Sequence, residues 1–298
     1  MRKSVVLLIT LAIIVAISAL VYSGLSIVDK AFSEVEKKHS LIQTDIFFKS
    51  LIDVLKKRSK EINSSEGLEV LIYMPIELIS DEIEARVEFD SAAKGINPNN
   101  FLKVENKKEQ INPDYVLLFD RILQRADVLN KELFIAMIED SLDKDFDERV
   151  PGSEIALYDR RFRQGSIENF KKFDMLIKHY ILLTEDGNIN KIPWKSILSF
   201  YSKEIDINYI SPILVEYILP YEDLELIKKV FINKTSIYKD VNDLPLPKED
   251  KEELKKFDVS GYVPIIEGNL TIKQGKNVSF ARFVYDIKNK KVLEVEEL

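Results

Sequence analysis

The chain has 298 residues, a formal net charge of −7 and no cysteine. Hydrophobic residues make up 46%, enough to bury a core, which excludes an intrinsically disordered chain. The acidic balance argues against nucleic acid as a ligand, and the missing cysteine excludes disulfides, thiolate zinc sites, cysteine nucleophiles and a lipoprotein anchor.

The N-terminus opens with Arg2 and Lys3, followed by an apolar run from 5 to 28 with no charge before Asp29. About 20 apolar residues span a bilayer core of about 30 Å. The two leading positive charges keep the N-terminus cytoplasmic, so everything after Asp29 is expected outside the inner membrane. A cleaved secretory signal with Ala16 and Ser18 at its end is the competing reading. A plain single-span anchor is another.

From Asp29 to Ile62 the chain holds no Pro or Gly, and apolar residues recur near helical spacing. The sequence predicts one unbroken rod of about 55 residues, or roughly 80 Å including the membrane segment. The stretch 63–67, Asn-Ser-Ser-Glu-Gly, ends it. Strands are predicted at 69–74 and 85–90, the second with clear alternation. The stretch 91–100 is turn-rich. Helical periodicity then runs through 114–142, 166–183, 193–201, 212–219 and 221–231. Ser211 is read as an N-cap, with Pro212 in the first helical position. The prolines at 245 and 247 and the charged stretch 248–256 read as a return linker, followed by strands at 261–266, 269–273, 279–286 and 291–296. The fold class is therefore α+β: a long N-terminal helix on an antiparallel sheet, with a large inserted helical domain. The divisions are 1–28 for the membrane segment, 29–112 for the stem and first strands, 113–245 for the insert and 246–298 for the closing strands.

Chemistry-bearing motifs are few. His39 and His179 are the two histidines, and neither sits in a recognisable catalytic arrangement. No glycine-rich phosphate loop is present. Trp194 reads as core, and Arg160-Arg161-Phe162-Arg163 as a solvated basic face. No catalytic residue is assigned. The one dense constellation is acidic: Asp143, Asp145, Asp147, Glu148 and Glu154. Asp143, Asp145, Asp147 and Glu154 fall at positions 1, 3, 5 and 12 of a calcium loop. Glu148 stands where an EF-hand needs Gly, and Arg149 and Pro151 spoil the pattern further, so an EF-hand is rejected. A looser structural calcium site using some of these five residues is one reading, and a solvated acidic loop is the other.

Several stretches together resemble the minor pseudopilin K family of type II secretion systems, which is type IV pilin-like. Ser4-Val5-Val6-Leu7-Leu8 sits where that family has its prepilin-type cleavage site. Val87-Glu88-Phe89-Asp90 followed by Ile96-Asn97-Pro98-Asn99 resembles its strand and turn. Asp140-Ser141-Leu142-Asp143-Lys144-Asp145, ending in Pro151-Gly152-Ser153-Glu154, resembles its acidic stretch. Ile205-Asp206-Ile207-Asn208-Tyr209-Ile210-Ser211-Pro212 resembles its entry to a second helical hairpin. Departures are Ser4, where the family has Gly before the scissile bond, and Ser141, where Trp is common. Ile9 stands where most pilins have Glu and this family lacks it.

The resemblance implies a non-enzymatic structural subunit at the tip of a periplasmic pseudopilus, anchored in the inner membrane. It implies processing between Ser4 and Val5 by a prepilin peptidase, other minor pseudopilins as partners, no nucleic acid, and calcium in the inserted domain. Ile9 suits a tip position, because a carboxylate in the bilayer costs about 2.5 kcal/mol or more unless a neighbour pairs with it. The alternatives are a membrane-anchored periplasmic binding or sensor domain, and a minor pilin of a type IV pilus or DNA-uptake system.

Overall fold

A computed structural model describes residue 38 and residues 41–79, 83–105, 108–220, 223–275 and 277–297. The apolar run at 5–28, the cleavage pair Ser4 and Val5, and His39 lie outside these residues. No described helix is long and apolar enough to cross a membrane.

Helix α1 covers 41–58. It ends earlier than the predicted Ile62, because the Arg58 carbonyl takes the N–H groups of both Glu61 and Ile62 and tightens the last turn. Helix α2, Ser65–Tyr73, follows at once. This corrects the predicted strand at 69–74. Ser64 caps the new helix by accepting the Gly67 N–H at 3.1 Å, and Glu66 places a negative charge in its first turn. The β-rich composition of Val70-Leu71-Ile72-Tyr73 loses to packing: Leu68, Leu71 and Ile72 share one helical face, which joins the sheet core.

Strands β1, Ile76–Ile79, and β2, Ile83–Ser91, pair antiparallel. In β2, Ala85, Val87 and Phe89 point to the core while Glu84, Arg86 and Glu88 face water, as alternation requires. After a 3₁₀ turn at Pro98–Phe101, a small hairpin follows, β3 Leu102–Glu105 and β4 Lys108–Ile111. The chain then becomes helical. The expected helix over 114–142 is two: α3, Pro113–Arg125, and α4, Lys131–Leu142. Asp127, with φ of 56°, turns the backbone between them, and Asn130 caps the second. Next come α5 (Ile155–Tyr158), α6 (Phe170–Thr184), α7 (Trp194–Ile197), the two-residue strand β5 (Ile205–Asp206), α8 (Pro212–Ile218) and α9 (Leu224–Ile227), which passes into a π-turn at Lys228–Ile232. Ser211 holds the N-cap position of α8 but makes no side-chain capping bond.

The predicted return linker at 248–256 is helix α10, Lys248–Lys255, whose Leu254 is fully buried in the helical core. The last strands are β6 (Val259–Ser260), β7 (Ile265–Gln274), β8 (Asn277–Asp286) and β9 (Lys291–Glu297). The expected strands at 261–266 and 269–273 become one strand, β7, running through Gly268. The main sheet has the order β1-β2-β7-β8-β9, all antiparallel. Strands before the insertion and after it therefore share one sheet. β2 pairs with β7 from Ile83 opposite Gln274 to Ser91 opposite Ile266.

Two large cores result. One lies between α1 and the sheet: Leu51, Ile52 and Leu55 press on Val87, Leu270, Ile272 and Phe283. Phe48 meets Phe283 edge-on at 5.2 Å. The other fills the helical body, with members from Ile96 to Phe257. Trp194 is central to it, 6.0 Å from Phe119, 5.7 Å from Phe134 and 5.0 Å from Phe173, and its indole N–H is satisfied by the Ile189 carbonyl.

Candidate functional sites

Helix α1 buries one side against the sheet, and its other side should then be polar in a subunit that works alone. It is not. Ile42, Ile46 and Val54 are exposed, and with Ser50 they form a row at i, i+4 spacing. Ile42 and Ile46 are each more than half exposed. In sequence, this row follows the apolar run at 5–28.

The acidic stretch sits at the end of α4 and in the loop to α5. Three carboxylates gather there around one cation, with a fourth, Glu154, beside them. Arg149 reaches Glu139 at 3.3 Å, Asp143 at 2.5 Å, and Asp140 in its closest contact. The side chain of Asp140 is fully buried, and it also accepts from the Ser153 hydroxyl and the Arg149 backbone N–H. Glu154 caps α5 by accepting the Ala156 N–H at 3.0 Å, and its other oxygen accepts from Gln164 at 2.8 Å. The same Gln164 amide donates to the Asp145 carbonyl. Burial raises the carboxyls of Glu139, Asp143 and Glu154 above their usual range, against the pull of Arg149 on the first two and of Gln164 on the third. Their neighbours Asp140 and Asp143 add like-charge repulsion. Oδ1 of Asp143 is buried with no hydrogen-bond partner among the described residues.

Of the five predicted residues, Asp143 and Glu154 face this centre, and Asp145 contributes its carbonyl. Asp145 Oδ1 turns to the Asp147 N–H, and Asp147 goes no further inward. Glu148 turns away, binding the Gly152 N–H and the Tyr158 hydroxyl at 2.9 Å each. The sequence reading missed Glu139, Asp140, Arg149 and Gln164 as members. Asp140 had a signal: it precedes Asp143 by three residues, one helical turn. Among the described residues no three carboxylates already converge as a cation cage. The donor chemistry nevertheless fits calcium, with carboxylates in excess of the single guanidinium and one orphaned buried oxygen. Asp143, Glu154 and the Asp145 carbonyl would hold the ion, which would neutralise the surplus charge.

His179 plays no such part. It is buried, with Nε2 3.1 Å from the Gly152 carbonyl and its ring against Tyr158.

No family model matches the sequence, and no curated protein matches it. A solved structure does match: a chain of the GspK–GspI–GspJ complex from the enterotoxigenic Escherichia coli type 2 secretion system. The TM-score is 0.60 at 13% identity, over 88% of this chain and 98% of that one. The chain has the fold of a minor pseudopilin. At this identity the match speaks of fold, and it covers the pilin-like sheet and the inserted helices together.

Proposed function

We propose that this chain is a non-enzymatic minor pseudopilin of a type II secretion system, placed at the tip of the pseudopilus. The observation that carries the reading is the second apolar row of α1, Ile42, Ile46 and Val54, on a stem whose first face is already used by the sheet. Neighbouring stems bundle through such rows and so bury them. The helical body, with a core running from Ile96 to Phe257, adds bulk that a repeating filament subunit would have to stack. That bulk suits an end position.

In this reading the apolar run at 5–28 stores the subunit in the inner membrane with its N-terminus cytoplasmic. A prepilin peptidase cuts between Ser4 and Val5. The partners are other minor pseudopilins, in the manner of the complex in which the matching chain was solved. Calcium binds the acidic loop and tightens the helical body. The deciding experiment is co-purification of this chain with the minor pseudopilins of its own secretion system. Recovery of a stoichiometric complex is the expected result, and a chain that stays alone at high concentration overturns the reading.

A further inference from the structure

Among the described residues two connections join the sheet to the inserted helices, one leaving β2 and one entering β7. Such a link is ordinarily a hinge. Here a third segment, residues 205–211, lies between the two connections and is bonded to both. Toward the outgoing connection, the N–H of Asp206 donates to the Ala93 carbonyl and that of Ser211 to the Lys94 carbonyl, each at 2.9 Å. Toward the returning connection, Ile205 donates to Asp258 at 3.0 Å and Ile207 to Ser260 at 2.9 Å, and Val263 donates back to the Asp206 carboxylate at 3.1 Å.

Each connection also carries a glycine where backbone meets backbone. A Cβ on Gly95 would stand 2.5 Å from the Ile197 carbonyl oxygen, and one on Gly261 would stand 2.1 Å from that of Lys239. The Gly261 carbonyl is a shared acceptor. It accepts from Asn208 Nδ2 and from Ser65 Oγ, each at 2.9 Å. Asn208 belongs to the helical body, and Ser65 begins α2 at the end of the stem. Asn208 is buried and fully engaged, with Oδ1 accepting the Tyr238 N–H and the Lys234 ammonium. Beside it the Tyr262 hydroxyl donates to the Ile62 carbonyl at 2.9 Å. Further out, Tyr201 of the helical body bonds Glu294 of β9.

We infer that residues 205–211 form a seam, centred on Asn208, that locks the stem, sheet and inserted helices into one rigid body. The angle between the helical body and the stem is then fixed within the subunit and is not adjusted by a partner.

The chain has no cysteine, so spin labels can be placed at will. Asp53→Cys on the stem and Leu129→Cys on the helical body are both exposed. In the full chain, purified in detergent, pulsed electron resonance should give a single narrow distance distribution. A broad or two-peaked distribution overturns the rigid body. Asn208→Ala in the same labelled chain should at least double the width. An unchanged width overturns the assignment of the seam to Asn208. Should Asn208→Ala not fold, Asn208→Asp keeps the acceptor for Tyr238 and removes the bond to Gly261, and it carries the same two outcomes.

Discussion

Gly268 lies under the ring of Phe283, its register partner across β7 and β8. A Cβ at position 268 would stand 2.2 Å from Cζ of that ring. Phe283 is fully buried between Phe48 of the stem and Phe89 of β2, so it has nowhere to move. Gly268→Ala should therefore cost about 1–3 kcal/mol through overpacking, read as a lower midpoint in urea unfolding. A wild-type midpoint would mean the ring can swing aside.

Among the described residues Arg149 is the one cation paired with the acidic centre, and its partner Asp140 is fully buried. Arg149→Met removes the cation and leaves that carboxylate with only the Ser153 hydroxyl and a backbone N–H. A buried charge stripped of its partner costs about 2–3 kcal/mol. The double variant with Asp140→Asn should recover part of this loss, which a thermal melt of each variant would show.

The surplus negative charge makes a second prediction for the same loop. Calcium, compared with chelator, should raise the melting temperature of the chain. Asp143→Asn should abolish the rise, because a neutral amide replaces the carboxylate and offers one oxygen where there were two. The response should weaken on acidification, since the carboxyls of Asp143 and Glu154 are held above their usual range by burial and take up protons early. A melting temperature indifferent to calcium at neutral pH would leave Arg149 as the counter-charge of Glu139, Asp140 and Asp143.

Much of this architecture could be read from the sequence, and the failures share a cause. The alternation of Ala85, Val87 and Phe89 revealed β2, and the strands that follow the insertion were placed in the right region. The segment 69–74 was misread because its β-branched and aromatic composition says strand, while Ser64 and the shared face of Leu68, Leu71 and Ile72 say helix. Helix α10 was misread because it is almost wholly charged and contributes mainly Leu254 to the core. Gly268 split β7 in the sequence, although the glycine is there to admit Phe283 from the next strand. The acidic loop was visible as a charge run. Arg149 and Gln164 were not, because nothing local says that a residue nine positions from Asp140, or ten from Glu154, will fold back onto it. Long-range contacts decide these cases, and spacing carries no record of them.

Asp206 gives the seam a pH signature. Burial pushes its carboxyl up to about 6, although the N–H groups of Val263 and Asn208 and the charge of Lys234 work against that rise. The unfolded chain has the ordinary value of 3.8. A carboxyl raised in the folded state binds its proton more tightly there. Its contribution is fully present below about pH 4 and is lost as the pH rises through about 6. The difference is about 3 kcal/mol, so this one group should make unfolding easier at pH 7 than at pH 4.5. Asp206→Asn should flatten that part of the profile while lowering stability overall, because its amide N–H₂ would face a backbone N–H. A profile of the same slope in the variant would assign the dependence to another group.

The apolar row of α1 separates folding from assembly. Ile46 is exposed and contributes nothing to the sheet core, so Ile46→Glu should change stability by no more than about 0.5 kcal/mol. The same change places a charge in the middle of a helix bundle, where burial without a partner is costly. Co-purification with partner pseudopilins should fall at least tenfold, while the melting temperature stays at the wild-type value. Leu51→Ala should do the reverse. Leu51 is buried against the sheet, and its loss should cost about 2–5 kcal/mol of stability. Partner binding per folded molecule would be retained. If the Ile46 variant binds partners normally, the row is an incidental apolar surface, and the contact between subunits lies elsewhere on the fold.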